Sequence, residues 1–208
     1  MRLIVHATNI SQGGGRSLWS ALLDALPNDL EILVQLDSRM LLPADTPKNL
    51  EIRFVEPSIL QRLLAEWWLA QNVQPQDTVL CFGSLTPLFK LQGHTTVFVQ
   101  NRYLIEKNRL TGFPLKTRLR LGFERVWLAI TASNADEFIV QSPAMKTALI
   151  LSGCVKKQLV HVRPFASVSD GYQSTMNHQQ NCHVVKKYDF IYFASGEPHK
   201  NHRQLVEA

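Results

Sequence analysis

The chain has 208 residues, enough for one sizeable domain or for one domain and a fragment of another. Hydrophobic residues make up 45% and charged residues 19%, a composition that excludes a largely disordered chain. The net charge of +5 favours anionic partners, and the apolar runs are too short to span a bilayer.

Short β-branched runs alternate with longer amphipathic stretches along the chain. In chain order, the pattern predicts strands at 2–8, 31–36, 51–55, 78–82, 95–100, 137–140 and 158–162, with helices at 16–26, 59–70, 115–128 and 143–152. This alternation predicts a Rossmann-like α/β fold with a doubly wound parallel sheet. In such folds ligands bind at the carboxyl ends of the strands.

The character of the sequence changes near residue 165. We expect a first domain over residues 1–165 and a polar linker over 166–187, followed at 188–208 by a strand and the start of a helix. Because a lone strand and part of a helix cannot bury a core, the last segment predicts a second domain that is truncated.

A glycine-rich turn follows the first predicted strand and consists of Gly13, Gly14 and Gly15. Its backbone amides and the start of the next helix suit a phosphate or a closely approaching sugar, and Arg16 adds a positive charge. Two alternatives stay open. The turn is purely structural, or it belongs to a dinucleotide site in which Asp37 binds the ribose, although Leu18 replaces the third glycine of that motif.

A second candidate site follows the predicted strand at 95–100. Its polar side chains are Gln100, Asn101 and Arg102. Amides and a guanidinium at this place can hydrogen-bond sugar hydroxyls or a phosphate. The alternative is a polar loop that only stabilises its own turn.

Basic residues are concentrated between positions 101 and 128, where seven lysines and arginines face two glutamates. In the helix at 115–128 we expect Leu115, Leu119, Phe123, Val126 and Trp127 to face the core. The remaining strip predicts a membrane patch formed by Lys116, Arg118, Arg120, Leu121, Arg125 and Leu128. Such a face can lie on an anionic membrane; the alternative is an ordinary solvated surface.

Neither metal ligation nor a resident cofactor is predicted. The seven histidines lack metal-ligand spacing, and Cys81, Cys154 and Cys182 include no Cys-x-x-Cys pair. We expect reduced thiols in a cytoplasmic protein, since the first residues have no signal-peptide core. No nucleic-acid partner is expected.

The order of these pieces resembles the group-1 (retaining) glycosyltransferases of the GT-B fold. The resemblance rests on the glycine turn, on Gln100-Asn101-Arg102 at a strand end, and on the strand and Ser142 cap of residues 138–146. The most specific part is the stretch at 190–202, which ends in Pro198-His199-Lys200-Asn201-His202. The resemblance covers essentially the whole chain.

The resemblance implies a function. It makes the first domain the acceptor side of a hexosyltransferase, while the second domain holds a nucleotide-sugar donor. Lys200 would bind the donor diphosphate, with Ser195 and Gly196 in the adjacent turn and Gly14 and Gly15 facing it across the cleft. The acceptor would be a glycan or a lipid-linked molecule of surface polysaccharide synthesis. The protein would be cytoplasmic or attached peripherally to the inner face of the plasma membrane.

The chain departs from the family pattern in three places. Ser195 or Ala194 stands where an arginine usually precedes the lysine, and Gln100-Asn101 replaces a histidine. The acidic Glu-x7-Glu motif would belong to the missing part of the second domain, so we expect this chain alone to be inactive. A non-catalytic protein that binds a glycan, lipid or partner is the alternative. A nicotinamide-dependent oxidoreductase is disfavoured because Leu18 stands where the dinucleotide motif has its third glycine.

Overall fold

The computed structural model describes residues 1–11, 14–27, 29–42, 46, 49–106, 110 and 113–164. The strands are β1 (Leu3–Ala7), β2 (Ile32–Asp37), β3 (Leu50–Val55), β4 (Thr78–Cys81), β5 (His94–Val99), β6 (Glu137–Val140) and β7 (Val160–Val162). The α-helices are α1 (Gly14–Ala25), α2 (Ile59–Asn72), α3 (Arg102–Ile105), α4 (Leu115–Thr131) and α5 (Pro143–Leu151). The predicted linker and the predicted start of a second domain lie outside the described residues.

The strands form one parallel sheet in the order β3-β2-β1-β4-β5-β6-β7. The strand order reverses between β1 and β4, whose pairing runs from Leu3 opposite Thr78 to His6 opposite Cys81. The predicted Rossmann-like, doubly wound α/β fold is therefore confirmed. A reversal of this kind opens a crevice at the carboxyl ends of the two strands.

The sheet buries both of its faces, which explains why the central strands are almost continuously apolar. Trp19 and Leu23 of α1 belong to a core cluster on one face, with Val5 and Phe82. The other cluster contains side chains from α2, α4 and α5: Leu69, Leu121, Leu128, Met145 and Leu149. Most of the helical layer thus lies on the face opposite α1.

Local capping explains where two of the helices begin. The Oγ atom of Ser58 accepts a hydrogen bond from the backbone N–H of Gln61 at 3.2 Å, at the start of α2. The predicted cap at Ser142 is confirmed, since its Oγ atom accepts from Met145 at 3.3 Å. Each such cap stabilises its helix by about 1 kcal/mol. After α5, Gly153 adopts φ of 81°, a backbone conformation that favours glycine.

Some boundaries differ from the sequence prediction. Helix α1 begins at Gly14 rather than at residue 16, and α4 continues to Thr131. The predicted strand at 158–162 divides into a 3-10 turn at Lys157–Leu159 and the three residues of β7. Helix α3 was not predicted, because a single turn gives no periodicity to detect.

The predicted orientation of α4 is wrong. Leu121 and Leu128, which were assigned to a membrane patch, are each only 2% exposed and belong to the core. By contrast Leu119 and Phe123, which were assigned to the core, are 67% and 62% exposed. The buried face of α4 also carries two polar residues, Glu124 and Thr131, so hydrophobicity alone selects the wrong face.

Arg125 also differs from its predicted role. Its guanidinium donates to the backbone oxygens of Tyr103 at 2.8 Å and Glu106 at 2.6 Å, which fastens α4 to α3. The other basic residues of the predicted patch, Lys116, Arg118 and Arg120, are exposed. The patch therefore keeps its exposed charges but loses both of its predicted leucines.

The orientation of α4 predicts that the same substitution at two of its leucines has very different effects on stability. Leu121→Ala should lower the free energy of unfolding by about 2–5 kcal/mol because it leaves a cavity in the core. Leu119→Ala, two residues away on the exposed face, should change it by less than about 0.5 kcal/mol. Urea denaturation of the two variants gives both values, and equal losses would contradict this packing.

Candidate functional site

A cleft of about 400 Å³ lies at the carboxyl ends of β1 and β4, between helices α2 and α4. Its position matches the crevice expected where the strand order reverses, and its volume suits a small ligand. The lining residues come from β1 and the loop after it, α2, the loop after β4, and α4: His6, Thr8, Asn9, Ile59, Arg62, Leu63, Glu66, Gly83, Leu85, Arg120, Phe123, Glu124 and Trp127.

A buried polar network forms the floor of this cleft. The Nδ1 atom of His6 lies 2.7 Å from Gln35 Oε1, and its Nε2 atom lies 3.0 Å from Glu66 Oε1. The Gln35 amide nitrogen donates to the backbone oxygen of Ala65 at 3.4 Å, which turns its oxygen toward His6. Both ring nitrogens thus face acceptors, and this arrangement stabilises the protonated imidazolium.

The electrostatics of His6 agree with that geometry. Burial by itself lowers the pKa of His6, but attraction and hydrogen bonding from Glu66, together with the Gln35 hydrogen bond, raise it above its ordinary value. The second carboxylate oxygen of Glu66 accepts from the backbone N–H of Leu88 at 2.8 Å. Glu66 therefore binds both the end of β1 and the loop that follows β4.

Cys81 lies beside the same network, as the register partner of His6 on the neighbouring strand β4. Its thiol is fully buried, and burial followed by the charge of Glu66 raises its pKa well above the ordinary range. A thiol held in the protonated form is a poor nucleophile, so Cys81 is a packing residue of the floor.

The wall formed by α4 carries the carboxyl group of Glu124, whose pKa is raised above its ordinary value. Burial raises the pKa of Glu124, while the charges of Arg120 and Arg62 partly oppose that rise. The Arg120 Nε atom lies 3.9 Å from Glu124 Oε1. A carboxyl with a raised pKa exchanges protons closer to neutral pH than an ordinary glutamate does, which suits it to proton transfer or hydrogen bonding with a ligand hydroxyl.

The polar residues predicted after β5 have structural partners. Ser84, at φ of 67°, accepts through its Oγ from the backbone N–H groups of Gln100 at 2.9 Å and Asn101 at 3.1 Å. The Asn101 side chain in turn accepts from Tyr103 at 3.0 Å and caps α3. The Arg102 side chain is exposed and pairs with Glu106. Asn101 and Arg102 thus have structural contacts, while their predicted contact with a ligand stays a prediction.

Gly14 and Gly15 of the predicted glycine turn begin α1, on the other side of β1. Gly14 is exposed at the start of α1, and a Cβ atom added there would meet nothing within 4 Å. A Cβ on Gly15 would lie 2.9 Å from Ile10 Cγ2 and 3.8 Å from Gln100 Oε1. The space above Gly14 is therefore open to a ligand, and Arg16 is exposed beside it. Gly13 lies outside the described residues, as do Ser195, Gly196 and Lys200.

The dinucleotide alternative loses its acidic residue. Asp37 at the end of β2 is fully buried, and its carboxylate accepts from Arg39 through Nε at 2.9 Å and Nη2 at 2.7 Å. Burial raises the pKa of Asp37, but the hydrogen bonds from Arg39 outweigh that effect and lower it. Because Asp37 is fully buried and paired with Arg39, it is not free to bind a ribose.

The sequence pattern does not predict a site at the polar residues of the cleft, His6, Arg62, Glu66 and Glu124. A signal was present for two of them. His6 interrupts an apolar strand, and Glu66 interrupts the apolar stretch of α2. Charged residues inside such patterns are rarely buried unless they are paired. The partner of each lies in a distant segment, so the pairing itself required the fold.

No protein-family model matches this chain, and no curated protein matches it significantly. Among the described residues, no cluster of three or more His, Cys, Asp or Glu side chains could hold a metal ion. Within the same residues, every helix is too short or too polar to cross a membrane.

The raised pKa of His6 predicts a pH dependence of stability. The stabilisation from protonated His6 is fully present below its ordinary pKa of about 6.5 and is lost as the pH rises through the folded-state pKa. Chemical denaturation between pH 6 and 8 should therefore show a declining free energy of unfolding. Glu66→Gln should remove that slope, whereas His161→Gln in β7 should retain it. A slope that survives Glu66→Gln would contradict the assignment.

Asn9 follows β1 and Gly83 follows β4, and their close contact predicts a steric coupling between the two residues. The Asn9 Nδ2 atom donates to the backbone oxygen of Gly83 at 2.5 Å, and a Cβ on Gly83 would overlap the Asn9 side chain. Gly83→Ala should therefore cost about 1–3 kcal/mol of stability. Adding Asn9→Gly should recover part of that loss in a double-mutant cycle measured by thermal denaturation. Additive losses would show that the two residues do not interact.

Proposed function

We propose that this chain is the acceptor-side domain of a GT-B-type glycosyltransferase that uses a nucleotide-sugar donor. The observation that carries the proposal is the arrangement at the carboxyl edge of β1. The exposed Gly14 begins α1 on one face of the sheet, and a 400 Å³ cleft opens between α2 and α4 on the other. Asn9 lines the cleft, and the adjacent Ile10 packs against Gly15.

This arrangement suits a reaction between two substrates. Exposed backbone amides at the start of α1 favour a negatively charged group such as the donor diphosphate. The cleft offers Glu124 as a hydrogen-bond acceptor for the hydroxyls of an acceptor. Because both features border β1, a donor and an acceptor bound there would approach each other. The resemblance in sequence order supplies the reaction class, hexosyl transfer.

Several parts of the proposal depend on residues outside the described ranges. Donor binding by Ser195, Gly196 and Lys200 stays a prediction from the resemblance. The same holds for a role in surface polysaccharide synthesis and for a cytoplasmic location at the inner membrane face. An anionic membrane contact through Lys116, Arg118 and Arg120 also stays a proposal.

A transfer assay tests the proposed activity directly. The intact protein that carries this chain is incubated with UDP-, GDP- and dTDP-hexoses and a membrane extract, and mass spectrometry detects the glycosylated product. Glu124→Gln should reduce kcat by at least about tenfold, equivalent to 1.4 kcal/mol. Glu137→Gln, at the amino end of β6 and away from the cleft, should have no effect. Absence of transfer with every donor would reject the glycosyltransferase and favour the non-catalytic binding protein.

A binding measurement tests which of the two domains binds the donor. The 208-residue chain alone should bind nucleotide sugars weakly, because the base and ribose pocket is assigned to the second domain. Calorimetry that gives a dissociation constant near 1 μM, about 8 kcal/mol, would show instead that this chain holds the donor. Gly14→Ala should weaken any donor contact without lowering the melting temperature, since the added methyl group has room.

A further inference from the structure

We infer that the cleft between α2 and α4 binds a single amphiphile, an apolar chain with an anionic phosphate head. The first ground is the chemistry of its walls. Ile59 and Leu63 of α2 face Phe123 and Trp127 of α4, with Leu85 from the loop after β4. The indole N–H of Trp127 donates to the backbone oxygen of Thr86 at 2.9 Å, so that the polar end of the ring is already satisfied. These walls present mainly apolar surface to a ligand.

The apolar surface continues out of the cleft along both helices. On α4 an exposed seam follows the spacing of one helical face: Leu115, Leu119, Phe123, Val126 and Ile130. On α2 the corresponding exposed residues are Ile59, Leu60, Leu63, Leu64 and Trp67. Isolated exposed apolar residues are common, but contiguous ones of this size mark a binding surface. A chain longer than the cleft would thus remain in apolar contact beyond its mouth.

The mouth of the cleft carries positive charge. Arg62 of α2 and Arg120 of α4 both line it, and both act on the same carboxyl, Glu124. Among the described residues, Arg62 forms no ion pair, and the Arg120 side chain is 64% exposed with its nearest carboxylate oxygen at 3.9 Å. The negative charge of Glu66 is balanced by His6 in the floor. Two guanidinium groups are therefore available to a phosphate, which arginine binds well.

The apolar walls and the two arginines together determine the class of ligand. A free phosphate would leave the apolar walls exposed to water, and a neutral lipid would leave two arginines beside the single carboxyl of Glu124. A volume of about 400 Å³ also suits one small molecule better than a folded partner. If the proposed glycosyltransferase function holds, on which this step alone rests, the amphiphile is the lipid carrier of the acceptor.

Calorimetry with the 208-residue chain tests the inference, using dodecyl phosphate below its micelle concentration as the probe. We expect saturable binding of one molecule per chain. Dodecyl maltoside should bind at least about tenfold more weakly, a difference of 1.4 kcal/mol, and inorganic phosphate should not bind detectably. Unsaturable binding, or equal binding of the neutral and anionic detergents, would overturn the inference.

Matched variants locate the site. Phe123→Ser should weaken dodecyl phosphate binding by about tenfold, whereas Ile130→Ser, on the same exposed seam but outside the cleft, should not. The double variant Arg62→Gln/Arg120→Gln should lose a similar factor, and Arg118→Gln should lose none. Because Phe123, Ile130, Arg118 and Arg120 are exposed, circular dichroism should show unchanged folding. Equal losses in the control variants would overturn the cleft as the site.

A vesicle experiment separates this site from docking onto a bilayer. If phosphatidylglycerol vesicles sediment the chain and Ile130→Ser abolishes that, while dodecyl phosphate does not bind, the apolar face is a membrane surface and the inference fails. The transfer assay is independent of these measurements. Transfer to a water-soluble acceptor without dodecyl phosphate binding would leave the proposed function standing and reject only the amphiphile site.

Discussion

The arrangement of the carboxyl edge depends on the buried pairing of His6 with Glu66. A charge taken out of water costs several kcal/mol unless a partner compensates it. Here the two partners lie 60 positions apart, and Gln35 and the backbone of Leu88 complete the network. The network therefore requires β1, β2, α2 and the loop after β4 to meet at one point. That meeting holds α2 over the reversal of strand order and so builds one wall of the cleft.

The sequence predicts the sheet well because its signal is local. Seven β-branched runs correspond to seven observed strands, and the alternation with helices is sufficient to predict a doubly wound parallel sheet. The Ser142 cap was also predictable, since the capping serine and the proline after it are adjacent in sequence. In each case the information lies within a few residues.

The orientation of α4 was not predictable by the same means. Two apolar strips compete on that helix, and the strip with more apolar residues faces outward. The inner strip includes Thr131, which hydrogen-bonds to Thr86, and Glu124, which borders the cleft. A sequence pattern identifies the core face of a helix by hydrophobicity alone. A folded core can also include polar residues whose hydrogen-bond partners come from other segments. The cleft was missed for the same reason, because its polar residues are brought together only by the tertiary structure.

The position of Cys81 has a kinetic consequence. Its thiol lies in the central strand β4, fully buried beside His6, and reacts only when that part of the sheet opens. The rate at which a thiol reagent modifies Cys81 therefore reports how often the floor of the cleft is exposed. A ligand that bridges α2 and α4 would slow that opening. The protein thus carries its own reporter of occupancy, one that requires no measurable reaction product.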